Sequence, residues 1–135
     1  MKISTRGRYG LKVMIDIASF GDSKCVSLKS ISERHELSEN YLEQLVSPLK
    51  RAGIIESVRG AGGGYKLCRA PEEITVGDIL RVLEGSLAPA ECQTGEGVSC
   101  GNNDCSVCEA KPVFDRLLES VNEVVDSVTL RNLLA

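Results

Sequence analysis

The chain has 135 residues, enough for one domain that buries roughly two-thirds of its unfolded surface without disulfide staples. Aromatic residues make up 4% and tryptophan is absent, so the core must come from leucine, isoleucine, valine and alanine. The N-terminal stretch has no apolar signal region and no run approaches the ~20 residues that span a bilayer, which predicts a cytoplasmic protein with no membrane partner.

The net charge of −3 is unevenly spread. Residues 1–70 carry 12 lysines and arginines against 7 acids, a net of +5, while residues 71–135 carry 4 against 12, a net of −8. A basic half on an acidic protein points to a localised face for a polyanion.

Leu11, Met14, Ile15 and Ala18 repeat at i, i+3, i+4 and i+7, which predicts a helix over about 5–20. Ser27 and Ser30 then offer N-caps for a short helix around 28–36, and Ser30-x-x-Glu33 fits a capping box. Ser38 caps a third helix after a connection too short for antiparallel packing, so the pair crosses as a helix-turn-helix. In that third helix Tyr41, Leu42, Leu45, Val46 and Leu49 form an apolar face, and Asn40, Glu43, Gln44 and Ser47 form the opposite stripe. Asn and Gln side chains suit adenine and Glu suits the amino group of cytosine, though a solvated helix face would have the same composition. Ser38 and Tyr41, at the start of the helix, complete the candidate DNA-facing set there. Pro48 should kink the helix or weaken its last turn, and Gly53 should end it.

Two β-rich runs, 54–59 and 65–69, flank Gly60-Ala61-Gly62-Gly63-Gly64 and predict a hairpin, the wing. The glycine run lacks the lysine and following helix of a phosphate loop, so a nucleotide site is rejected. Its tip at Gly62 and Gly63, with Arg59, Lys66 and Arg69 beside it, suits close approach to a DNA backbone or minor groove. Thr75-x-x-Asp78 opens a further helix through Val76, Ile79, Leu80 and Leu83 that stops at Gly85.

Four of the six cysteines fall in the polar, glycine-rich stretch 92–108, spaced Cys92-x7-Cys100-x4-Cys105-x2-Cys108. Clustered thiols in a reducing compartment bind metal or do redox work more often than they form disulfides. Structural zinc usually uses two Cys-x-x-Cys turns and only Cys105–Cys108 is one, so the wider spacings favour an iron–sulfur cluster over zinc. Cys25 and Cys68 stand apart and are expected to be small buried apolar residues. Pro112 suits the start of a last helix whose apolar stripe runs Val113, Phe114, Leu117, Leu118, Val121, Val124, Val125 and Val128. Such a stripe beyond a polar loop is best covered by the same helix of a second copy, a homodimer.

The expected organisation is therefore a winged helix-turn-helix at 1–70, a connecting helix at 71–91, a cysteine loop at 92–108 and a dimerisation segment at 109–135. The fold class is mainly α with a small β-hairpin. The segments Arg6-Gly7-Arg8-Tyr9, Tyr41-Leu42-Glu43-Gln44-Leu45, Val58–Tyr65 and Thr75–Ile79 resemble those of the IscR-type iron–sulfur regulators within the Rrf2 family of bacterial winged-helix transcription regulators. That resemblance spans nearly the whole chain. It implies a dimeric bacterial transcription regulator carrying a 2Fe–2S cluster. The expected protein is a repressor or activator gripping a pseudo-palindromic operator in double-stranded DNA, with no enzymatic activity and no small-molecule substrate. It also implies that Asn40, Gln44 and Arg59 read DNA and that Glu43 selects between target classes. The cluster loop departs from the family's three cysteines and a histidine: either Cys108 takes the histidine's place, or Cys108 is the third cysteine and Cys105 is extra. A 4Fe–4S cluster or zinc stays open as the alternative cofactor, and a zinc-stapled constitutive DNA-binding protein as the alternative function. The only histidine, His35, is expected on the surface of the helix-turn-helix rather than among the ligands.

Overall fold

The computed structural model describes residues 2–20, 24–94 and 108–134. In chain order the elements are α1 (Thr5–Ser19), α2 (Leu28–His35), α3 (Glu39–Arg51), β1 (Ile55–Val58), β2 (Gly64–Leu67), a 3-10 turn at Pro71–Glu73, α4 (Val76–Glu84), a second such turn at Glu91–Thr94, α5 (Lys111–Ser127) and α6 (Leu130–Leu133). None of these helices is long and apolar enough to cross a membrane among the described residues.

Local chemistry sets most boundaries. The Ser38 hydroxyl accepts from the Tyr41 N–H at 3.1 Å and starts α3. The helix ends in a complete Schellman turn: Gly53 takes φ +77°, its N–H donates to the Lys50 carbonyl at 3.0 Å, and the Ile54 N–H donates to the Leu49 carbonyl at 3.1 Å. α3 runs helically through Pro48 to Arg51. Thr75 and Asp78 form the expected reciprocal cap of α4, both bonds at 3.0 Å. At α2 the expectation divides: Ser27 is the N-cap, whereas Ser30 lies inside the helix and donates its hydroxyl to the Ser27 carbonyl at 2.9 Å. The Ser30–Glu33 box does not form, because Ser27 has already satisfied the Ser30 N–H at 3.1 Å.

One core joins these elements. Val13, Met14 and Ile17 of α1, Ile31 of α2, Leu42, Leu45, Val46 and Leu49 of α3, Ile55 of β1, Ile79 and Leu83 of α4 and Leu130 of α6 are all buried in it. β1 and β2 pair antiparallel from Ile55–Leu67 to Val58–Gly64. A third segment docks on the hairpin: Val26 and Tyr65 exchange two backbone bonds of 2.8 Å. Gly64 permits this, since a Cβ there would collide with the Val26 carbonyl and its φ of +149° disfavours any side chain.

The C-terminal segment also returns to the core. The Val76 N–H donates to the Val128 carbonyl and the Leu130 N–H to the Ile74 carbonyl, each at 2.9 Å, before Thr129 and Asn132 cap the short α6. That last helix carries too few residues to show a period in the sequence. α5 contrasts with it, for no residue of α5 is buried. It lies against α4 through Arg81, whose guanidinium donates to Asp126 at 2.6 and 3.0 Å and to Asn122 at 2.9 Å.

Candidate DNA interface and thiolate site

α3 buries Leu42, Leu45, Val46 and Leu49, and this leaves Asn40, Glu43, Gln44 and Ser47 exposed together on the other side. These four line a shallow groove of about 390 Å³ with Arg6 of α1 and with Pro48 and Arg51 of α3. The polar stripe inferred from periodicity is thus one surface, and two cations that periodicity did not single out frame it. Arg51 continues the stripe one turn beyond Ser47, which is a legible signal. Arg6 comes from another helix and carried no such signal.

The wing tip is a tight turn in which the Gly63 N–H donates to the Gly60 carbonyl at 3.0 Å, with Gly60 and Gly62 at positive φ. Arg59 stands exposed at its base, and among the described residues no carboxylate pairs with it. The remaining predicted contacts are more engaged. Lys66 faces Glu56 directly across the ladder and pairs with it at 3.3 Å. Tyr41 is half-buried and meets Tyr9 edge-to-face, ring centroids 6.3 Å apart, so part of its role is to join α1 to α3. Ser38 spends its hydroxyl on the α3 cap. Burial pushes the Tyr65 hydroxyl pKa up, and the Glu43 charge nearby pushes it further.

Three expectations need correction, the first being that Cys25, expected to be buried, is half-buried beside the Val26 segment that docks on the hairpin. His35 is half-buried, and its Nε2 lies 2.8 Å from Asp16 Oδ2. Arg34 donates to the same carboxylate at 2.9 and 2.6 Å, so a buried acid on α1 pins the C-terminal end of α2. Burial raises the Asp16 pKa, but the hydrogen bonds from Arg34 and His35 outweigh it and hold the carboxyl below its ordinary value. An acid between Ile15 and Ile17 was the sequence signal for this pin. Cys68, expected to be buried, is exposed: it follows β2, where the chain leaves the hairpin. Partial desolvation of the sulfur by its neighbours, and the nearby Glu56, push its thiol pKa up, which disfavours the reactive thiolate.

Of the four clustered cysteines, Cys92 and Cys108 are described, both as free, half-buried thiols; Cys100 and Cys105 lie outside the described residues. Cys92 sits in the 3-10 turn Glu91–Thr94, and the neighbouring Gln93 ties that turn to α5 by donating to Asp115 at 3.2 Å. The Cys108 carbonyl accepts from the Lys111 N–H at 3.2 Å at the entry to the same helix. Both ends of the cysteine segment are therefore anchored at the N-terminal end of α5. Among the described residues no group of three or more such donors is assembled, and sulfur donors of this kind suit iron–sulfur or zinc binding by their chemistry.

A family model described as Rrf2, iron-dependent transcriptional regulator, matches residues 3–135. The chain belongs to the Rrf2 family. CymR of Bacillus subtilis, named an HTH-type transcriptional regulator, is 47% identical over 133 residues, covering 98% of this chain and 89% of that protein. The regulator IscR of Aliivibrio salmonicida is 36% identical over 134 residues, covering 99% of this chain and 77% of the relative. Among solved Rrf2-type structures, that of the B. subtilis global cysteine regulator CymR superposes with a TM-score of 0.81 over 98% of this chain and 95% of its own. The T. potens IscR structure does so with 0.79 at 46% identity, over 98% and 85%. With such relatives the protein is a DNA-binding transcription regulator of winged-helix fold, not an enzyme.

Proposed function

We propose that this Rrf2 regulator binds a pseudo-palindromic operator as a homodimer and that a protein-bound iron–sulfur cluster sets the affinity or selectivity of that binding. The observation that carries the proposal is that the turn holding Cys92 is tied to α5 through Gln93 while Cys108 leads into the same helix, in a chain whose family is described as iron-dependent. Cys92, Cys100, Cys105 and Cys108 would hold the cluster, which supplies redox and nitric-oxide sensitivity when bound. The chain's own residues do the rest. Asn40 and Gln44 present amide groups to base edges, and Arg59 carries the wing to the minor groove or backbone. Glu43, with its neighbour Tyr65, brings a negative charge to the same surface and rejects sequences that offer it no amino group.

One protomer exposes one recognition helix, and a two-fold operator needs two set roughly 34 Å apart. A second copy fits on α5, where Val113, Leu117 and Val124 are 59%, 43% and 61% exposed beside an apolar hollow of about 480 Å³ bounded by α4, α5 and Ile3. Exposed apolar side chains repeated along one helix mark an interface between protein surfaces.

The 47% identity to CymR, described as a global cysteine regulator, favours a second reading, in which the operator is released according to cysteine supply. Anaerobic purification with iron and sulfide analysis separates the two. A brown protein with visible absorbance whose Cys→Ala variants lose both colour and operator selectivity supports the cluster. A colourless, iron-free protein that discriminates operators equally well overturns it.

A further inference from the structure

Glu84, the last residue of α4, reaches back to the beginning of the chain. Its Oε1 accepts from the Ser4 N–H at 2.9 Å and the Gly7 N–H at 3.0 Å, and from the Ser4 hydroxyl as well. Backbone N–H groups of a first helical turn lack partners within the helix, and the positive end of the helix dipole favours a carboxylate. α1 has no acidic residue in its own first turn, so Glu84 supplies that charge from another element. The fit is close: a Cβ at Gly7 would collide with Glu84 Oε1, and one at Gly10 would collide with Leu83. Arg6 lies between the two clamped residues, and its exposed side chain lines the groove of Asn40, Glu43, Gln44 and Ser47. Among the described residues no carboxylate pairs with Arg6.

We propose that Glu84 is a positioning residue for operator binding: by clamping Ser4 and Gly7 it holds Arg6 at the rim of the recognition groove, where Arg6 pairs with a DNA phosphate. The inference rests on the reading of the α3 polar face as the operator surface. It adds a contact from α1 and a second-element residue that sets it. Phosphate contacts fix the register of a recognition helix without reading sequence, and a cation beside α3 is placed for that task.

The test uses the full-length protein and a duplex selected from a random library by the wild type, with binding measured by fluorescence anisotropy at several salt concentrations. Arg6→Ala should weaken binding roughly 3- to 10-fold at 0.1 M salt and lower the slope of log K against log salt by about one. Glu84→Ala should give a similar loss and a similar change of slope, while Glu84→Gln, which keeps an acceptor oxygen, recovers most of the affinity. Gly7→Ala, which displaces the carboxylate from the other side, should reproduce the loss and serves if Glu84→Ala does not fold. The Arg6→Ala/Glu84→Ala protein should bind no worse than Arg6→Ala alone, because the two act through one contact. Additive losses in the double variant, or an unchanged salt slope in Arg6→Ala, overturn the proposal. Gln44→Ala provides the separate control. Weak binding by Gln44→Ala beside normal Arg6→Ala behaviour refutes only the Glu84–Arg6 link, whereas normal binding by Gln44→Ala refutes the operator surface itself.

Discussion

α3 and α5 carry the same kind of amphipathic pattern and meet opposite fates. Leu42, Leu45, Val46 and Leu49 of α3 are 0% exposed, whereas α5 buries none of its residues and leaves Val124 61% exposed. Their charged surroundings differ in the same sense. Among the described residues Arg81, Lys111 and Arg131 of the acidic half pair with carboxylates, whereas Arg6 and Arg51 beside the α3 groove and Arg59 at the wing pair with none, although Arg34, Lys66 and Arg69 elsewhere in the basic half do. One region has satisfied its apolar face internally and keeps its cations for a polyanion. The other ties α5 to α4 through Arg81 and Asp126 and leaves Val113, Leu117 and Val124 of α5 exposed. The contrast is why we assign DNA to the first and a second copy to the second.

The largest expected effect tests that contrast directly. Leu45→Ala should cost about 2–5 kcal/mol in denaturant unfolding, since it opens a cavity in a closed core. The same truncation at Leu117 should cost under about 1 kcal/mol in dilute protomer, as at other surface positions, and should instead raise the dimer dissociation constant seen by sedimentation. Equal costs at low concentration would falsify the picture of a bare α5. For DNA, Gln44→Ala should lose about 1–3 kcal/mol at an adenine-bearing position, read from competition among single-base operator variants. Arg59→Ala should weaken all sequences alike and cut the salt slope by about one.

Next comes the pin at Asp16. Asp16→Ala removes charge-assisted bonds to Arg34 and His35 and should cost about 2 kcal/mol at neutral pH. The folded-state pKa of Asp16 lies below the ordinary 3.8, so the contribution is complete at pH values above 3.8 and fades as the pH falls through the lower folded value. Wild type and Asp16→Ala should therefore converge in stability only in strong acid, in urea melts from pH 7 to pH 2. Convergence already at pH 5 would show that another group carries the effect. Smallest of all should be Arg81→Ala: its pair with Asp126 is exposed on both sides, which limits the cost to under about 1 kcal/mol, although it should loosen α5 from α4 in hydrogen exchange.

Much of the architecture was legible because it is written in short spacings. Ser38 and Gly53 bracket α3, Thr75 and Asp78 open α4, and the glycine run at 60–64 makes the hairpin turn. The groove was legible in the same way, through the Asn40, Glu43, Gln44 and Ser47 stripe. Arg6 was not, since its place beside that stripe depends on how α1 crosses α3. Cys68 was misjudged because residue type alone does not tell which way the chain leaves a two-stranded hairpin. His35 found its partner on a different helix, a contact that no local pattern encodes.

What the sequence determined by itself is the set of elements, because caps, turns and hydrophobic periods act over three or four residues. Tertiary structure alone decided the long-range joints: Val26 against Tyr65, Val128 and Leu130 against Ile74 and Val76, Asp16 against Arg34 and His35, and Glu84 against Ser4 and Gly7. Each pairs groups whose local helix or strand leaves them unsatisfied, and many partners of equal chemistry exist along the chain. Only the packing of a shared core brings one of them within hydrogen-bonding distance.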